Sequence, residues 1–291
     1  MRLHLRRSKE SRLFAFVEYV IMYGWLLFVL FPFVWMISLS LRKTQSVYKN
    51  LFFQSLEEVT FENYLYLFQG QFPYRNIQIF FMNALRNSVI VTLIALVGIL
   101  VVSILASYAF SQIKFFGQNI IFYFLLAGMM IPVQVLMLPL FRVVRLIGIQ
   151  NSLFSVILPY IAVGIPLSTF LFTGFFRSIP KPLLEAAHLE GASHMQVLLK
   201  IILPLSRPVI GANVIFQFML NWNEFPLALV LLQKSNLYTL PIEVTKVQGQ
   251  YMTPWNIVST AVMAAIVPII AVYLIFQRQF VSGIVAGAIK E

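Results

Sequence analysis

The sequence predicts an all-α membrane protein of six transmembrane helices, with the N- and C-termini both cytoplasmic. Three observations predict it. Six apolar stretches are each long enough to cross a hydrocarbon core of ~30 Å, which takes about 20 helical residues. Hydrophobic residues make up 60% of the 291 and charged residues only 11%, with a mean hydropathy of +0.85. A soluble domain is about half apolar and roughly a quarter charged. Finally, Arg2, Arg6, Arg7, Lys9 and Arg12 crowd ahead of the first stretch, and basic residues stay on the cytoplasmic side. The apolar runs lack the weak alternation of barrel strands.

Taken in order, the tail 1–13 leads into a first span near 14–41, which is too long for the apolar region of a signal peptide and reads as retained. The outer segment 42–86 is too long for a passive turn, and "TFENYLYLF" within it has helical spacing, with Thr60 as its N-cap. Further spans lie near 87–110, 119–141, 151–176, 208–232 and 257–280. An even number returns the chain to the side on which it began. The loop 177–207 is therefore cytoplasmic, and the loop 233–256 extracytoplasmic.

The formal charge of +11 gathers at membrane edges and in the cytoplasmic segments. No stripe of Arg and Lys interleaved with aromatics lies outside the spans, so the charge points to headgroups rather than nucleic acid. With no cysteine there is neither a disulfide framework nor a thiolate metal site. His188 and His194 stand six apart, share no helix face and have no third ligand beside them, so they do not form a metal site.

The loop "EAAHLEGASHMQVLLKIILPLSRP", Glu185 to Pro208, is the polar exception in the chain. Pro180 and Pro182 open a short helix, and Glu185 is expected in its first turn, where the helix dipole favours a carboxylate. Gly191 ends that helix because glycine accepts the left-handed conformation of a helix stop. Ser193 and Gln196 fit a capping box for a second helix. Met195, Leu198, Leu199 and Ile202 give that helix one apolar face, and Pro204 is expected to end it. Two readings stay open on these residues: a helix pair lying on lipid, or a docking surface whose small Ala186 and Ala187 admit another protein.

A second polar group, "NWNEFP" at 221–226, interrupts the fifth span. A carboxylate near a helix centre in the membrane costs ~3 kcal/mol or more, so Glu224 should face the bundle interior or a wet cavity. Asn221, Asn223, Glu224 and, in the third span, Gln134 are candidates for the translocation path; helix packing or gating is the competing role. Both prolines flanking Gln134, Pro132 and Pro139, free backbone groups that neighbours must satisfy.

The loop sequence resembles the signature of ABC importer permease subunits: E-A-A, three residues, G, and later an I/L-x-L-P stretch. Other runs resemble the carbohydrate branch, the maltose-permease G subunit type. They include "NSVIVT" at 87–92, "ASYAFSQIKFFGQ" at 106–118, "MMIPVQVLMLPLFRVVRLIGIQNSLFSVIL" at 129–158, "NWNEF" at 221–225 and "QRQFVSGIVAGAIKE" at 277–291. The likeness covers roughly residues 80–291. Glu190 stands where the family often has Asp, Pro182, Leu183 and Leu184 occupy a turn where it often has a second acid, and Glu291 follows Lys290 where it commonly has Gly.

The resemblance implies a type I ABC importer permease fold in a bacterial or archaeal cytoplasmic membrane. It implies that the loop docks on a separate ATP-binding subunit. Glu185 would be its polar contact, Ala186, Ala187 and Ala192 its close-packing surface, and Gly191 its elbow; Glu190, Leu203 and Pro204 complete the signature. The implied partners are a second, non-identical permease chain, an ATP-binding dimer and an extracytoplasmic substrate-binding protein. The chain carries no G-x-x-x-x-G-K-[ST] run and no Asp, so ATP and Mg belong to the partner ATPase and this chain is not itself an enzyme. The cargo implied is a sugar or oligosaccharide. The alternatives are a permease for a non-sugar solute and an ion-gradient-driven secondary transporter, which needs coupling carboxylates and usually an internal repeat.

Overall fold

The computed structural model describes residues 9–49, 59–70, 80–247 and 253–288, and they are helical almost throughout. The long helices are α1 (Lys9–Ser40), α4 (Phe81–Gln112), α7 (Phe154–Arg177) and α14 (Trp255–Ala288). Between them lie α2 (Thr44–Lys49), α3 (Glu62–Gln69), α5 (Gln118–Ala127), α6 (Val133–Leu146), α8 (Lys181–Leu189) and α9 (His194–Val197). A π-helical turn at Leu198–Ile202 leads into α10 (Leu203–Leu205), then α11 (Arg207–Trp222), α12 (Pro226–Leu231) and α13 (Leu240–Thr245). Extended pairing among the described residues is limited to a bridge between Arg42 and Val59.

Among the described residues four helices are long and apolar enough to cross a membrane, and up to six crossings result if each of two bent pairs is one span. The stretch expected as a third span, 119–141, is one of these pairs. α5, extended by a tight turn through Met130, meets α6 at 104°. Pro132 explains the break, because it lacks an N–H and pushes Ile131 into extended backbone (φ −85°, ψ 117°). α6 then runs five residues past the expected end, to Leu146. The other pair is His194–Leu205 with α11, bent by 77°. The expected fifth span, 208–232, is itself divided, because α11 stops at Trp222 and α12 restarts at Pro226.

The chain forms two compact units. The first comprises residues 1–78 and 247–264. Within it α1 stands apart, its apolar side chains exposed on every side from Phe14 to Phe33, apart from the half-buried Ala15. Its C-terminal end is well tied. Helix ends leave orphan carbonyls, and here Asn63 Nδ2 donates to the carbonyls of Ser40 (2.9 Å) and Arg42 (2.8 Å). Thr260 Oγ1 donates to the same Ser40 carbonyl at 3.1 Å. Asn256 Nδ2 lies 3.2 Å from Asn63 Oδ1. α3 is the helix expected in "TFENYLYLF", but Phe61 occupies its N-cap position; Thr60 stands one residue earlier and accepts the Glu62 N–H at 3.2 Å.

The second unit comprises residues 79–246 and 265–291, and α4 packed along α7 is its axis. Glycine sets the approach. A Cβ on Gly98 would stand 2.5 Å from Ile161 Cδ1, and one on Gly164 2.4 Å from Ile99 Cδ1. Membrane helices use such small residues to bring backbones together. Ser103 and Ser107, one turn apart, donate across the seam to the carbonyls of Ile165 (3.3 Å) and Thr169 (3.0 Å). α4 begins six residues before the expected 87, and the Glu243 carboxylate accepts the N–H of Phe80 at its N-cap. Asn87 Nδ2 donates to the carbonyls of Asn236 and Tyr238, and Ser88 Oγ accepts the Leu240 N–H.

Candidate functional site

The polar loop is built as an elbow. α8 starts at Lys181, one residue before Pro182, so Glu185 falls in the second turn rather than the first and gains little from the helix dipole. The helix stop is at Gly191 (φ +84°). There the Ala192 N–H reaches the Ala187 carbonyl at 2.9 Å and the Gly191 N–H reaches His188 at 3.0 Å. This double bond pattern is the Schellman stop, and its left-handed residue favours glycine. The next helix opens with the expected capping box: Ser193 Oγ accepts the Gln196 N–H, and Gln196 Oε1 accepts the Ser193 N–H.

Two expectations for that second helix are corrected. Pro204 does not end it. The π-helical turn at Leu198–Ile202 widens the helix ahead of the proline, and the break falls at Ser206, where α11 turns away by 77°. The buried face also differs from the expected one. Val197, Leu198 and Ile202 are buried, whereas Met195 and Leu199 are exposed.

The buried side chains join Tyr108, Phe172, Phe176, Ile179 and Leu184 in one cluster, so the elbow is packed onto the ends of α4 and α7. A polar latch adds to this. Tyr108 Oη and His194 Nδ1 are 2.8 Å apart, and the His188 and His194 rings meet edge-on at 5.0 Å. The two histidines that share no helix face in sequence are thus neighbours across the elbow. Among the described residues no group of three potential metal-ligating side chains exists. Of the signature residues, Glu185, Ala186, Glu190, Gly191 and Pro204 are exposed. Ala187, Ala192 and Leu203 are half-buried against the chain's own cluster. Leu189, at the outer tip, is 90% exposed.

The second polar group folds around the gap between α11 and α12. Glu224 Oε1 accepts the Leu227 N–H at 2.7 Å, and Oε2 accepts the Ala228 N–H at 3.0 Å and the Tyr160 hydroxyl at 2.5 Å. Pro226 needs no partner for a missing N–H, so the carboxylate satisfies the next two donors of α12 and sits at the positive end of its dipole. Glu224 and Asn221 share a small cavity of about 180 Å³ with Tyr160 and Gln217. Among the described residues no acceptor reaches the buried Asn221 Nδ2. Asn223 is exposed and bonds back to the Met219 carbonyl at 2.9 Å, and Gln134 is exposed on α6; neither lines this cavity.

Deeper in the bundle Gln217 Nε2 donates to Gly164 O and Ser168 Oγ, and Asn213 Nδ2 donates to Ser168 Oγ. Sequence reading missed this ladder, as it missed Tyr108 and Tyr160. The detectable signal was a pair of amides four residues apart on one helix face.

Residues 98–285 match the family described as the inner membrane component of binding-protein-dependent transport systems. A trehalose transport system permease protein, SugB, of Mycobacterium tuberculosis is 34% identical over 90% of this chain and 93% of its own length. A trehalose/maltose transport system permease protein, MalG, of Thermococcus litoralis is 32% identical over 90% of this chain and 91% of its own. Among solved structures, a chain of a bacterial ABC transporter that imports the acidic polysaccharide alginate covers 94% of this chain at a TM-score of 0.78 and 22% identity. The chain belongs to the inner-membrane permease family of binding-protein-dependent ABC importers. It is therefore a transport subunit, and ATP hydrolysis belongs to a separate chain of the importer.

Proposed function

We propose that this chain carries a sugar or oligosaccharide across the cytoplasmic membrane as one of two non-identical permease subunits, driven through the elbow by a pair of ATP-binding subunits. The observation that carries the reading is the elbow itself: two short helices joined by a Schellman stop, latched to α4 through Tyr108 and packed on α7. A rigid part transmits displacement where a loose loop absorbs it. Its exposed side offers Glu185, Ala186 and the apolar Leu189, a surface fit for another protein. The sugar assignment is supported by the transport systems to which its relatives belong.

In this reading both termini are cytoplasmic and the elbow faces the nucleotide-driven dimer, which holds ATP and Mg. The six crossings are α1, α4, the α5–α6 pair, α7, α11 with α12, and α14. The loop 233–256 meets the substrate-binding protein. Its first half is pinned to the start of α4, where the buried Glu243 accepts the Phe80 N–H at 2.9 Å and pairs with Lys246 at 2.9 Å. Residues 248–252, the first five of "QGQYMTPW", lie outside the described residues. An ion-gradient mechanism is less well supported, because Glu224 already serves three donors within the protein.

The test is Glu185→Arg in the four-part importer, co-expressed and reconstituted. Substrate uptake falls at least tenfold and less ATPase co-purifies, while the thermal midpoint of the permease pair is unchanged. Uptake at the wild-type rate refutes the proposal. Ligand screening of the cognate binding protein checks the cargo, and a non-sugar ligand overturns that part alone.

A further inference from the structure

We infer that the cleft beside the elbow is a binding site for the phosphate headgroup of an anionic phospholipid. The cleft, about 430 Å³, lies between the end of α4, the start of α5 and the inner flank of α8. Lys114, Arg177 and Lys181 line it together with Gln118, Asn119 and a single carboxylate, Glu185. Among the described residues no carboxylate lies within ion-pair distance of those three cations. Arg177 is held in place by other means. Its Nη2 donates to the Phe110 carbonyl at 3.2 Å, and its guanidinium lies 5.5 Å from the centre of the Phe122 ring. Gln118 Nε2 already donates to the same Phe110 carbonyl at 2.6 Å, so the set on offer is a fixed guanidinium flanked by two ammonium groups and the Asn119 amide, which suits phosphate oxygens.

Depth decides the source of the phosphate. α4 as a span ends at Gln112, α7 ends at Arg177, and the α5–α6 pair begins at Gln118. Three span ends thus converge on this cleft, which sets it at the level of the headgroups. Directly beyond it Phe116 is fully exposed, and Ile120, Tyr123 and Phe124 of α5 present apolar surface on which acyl chains can lie. A soluble phosphate has no use for that surface. Because α8 forms one wall, an occupied cleft places a lipid against the elbow.

This inference rests on the proposed function only for the choice of the inner leaflet. Its test reads binding without uptake, so the two fail separately. The assembled importer is placed in phosphatidylcholine nanodiscs containing a trace of photoreactive phosphatidylglycerol, and the cross-links are mapped by mass spectrometry. Adducts are expected on 114–124 and α8. Each lysine near an anionic surface is worth about 1 kcal/mol, so Lys114→Gln with Lys181→Gln lowers their yield roughly thirtyfold at limiting lipid. The paired Lys→Arg changes keep it, which separates lost charge from lost folding. Undiminished labelling of the glutamine variant overturns the inference. So does displacement of the label by inorganic phosphate, which makes the ligand a soluble anion. Labelling that emerges only after the ATPase subunits are stripped away also overturns it, because the cleft then receives an acidic protein surface.

Discussion

Glu224 shows how one side chain makes a broken membrane helix tolerable. Its two oxygens receive two backbone N–H groups of α12 and the hydroxyl of Tyr160, so no donor at this break is abandoned to hydrocarbon. Hydrogen bonds to a charged group are worth about 1.5–3 kcal/mol each, and leaving their donors buried costs more than the bond returns. Glu224→Ala is expected to destabilise the purified permease pair by at least about 3 kcal/mol, read as a lower thermal midpoint and reduced yield. Tyr160→Phe removes one of the three bonds and costs about half as much or less. Were Glu224 chiefly a ligand for cargo, the alanine variant would fold normally and lose only uptake.

At the scale of elements, the elbow works because its stop and its latch are separate devices. Gly191 makes the turn, and Tyr108 with His194 fastens it. Gly191→Val forces a β-branched side chain into the left-handed region, at a cost of about 1–2 kcal/mol, and disturbs the angle between α8 and α9. It is expected to weaken both ATPase association and uptake. Tyr108→Phe leaves the angle intact and cuts the latch. ATPase still co-purifies with this variant, while uptake per ATP hydrolysed falls. If the two variants behave alike in a coupling assay, the latch has no role of its own.

At the scale of the molecule, each unit has its own means of closure. The first is tied by amide and hydroxyl groups on the last carbonyls of α1, the second by glycine contacts along α4 and α7. Gly164→Leu should therefore prevent the second unit from closing. Its side chain meets Ile99 and Gln217, and overpacking costs about 1–3 kcal/mol or more. Gly174→Leu on the same helix, where nothing lies within 4 Å, is the control and is expected to assemble normally. Protease resistance and yield of the membrane-inserted chain distinguish the two. Equal behaviour removes the close approach from the account of this packing.

Composition and pattern alone decided the helical membrane class, the existence of the long helices and the elbow with its glycine stop and capping box. Each follows from hydropathy over a window or from backbone chemistry within a few residues. The bends at Pro132 and Ser206, the helix break at Asn223, the turning of Met195 and Leu199 out of the buried face, and the partners of Glu224 were decided by tertiary structure. The physical reason is that every surface of these helices reads as apolar in sequence. Which face turns inward depends on where polar groups find partners, and those partners lie up to 220 positions away, as between Ser40 and Thr260.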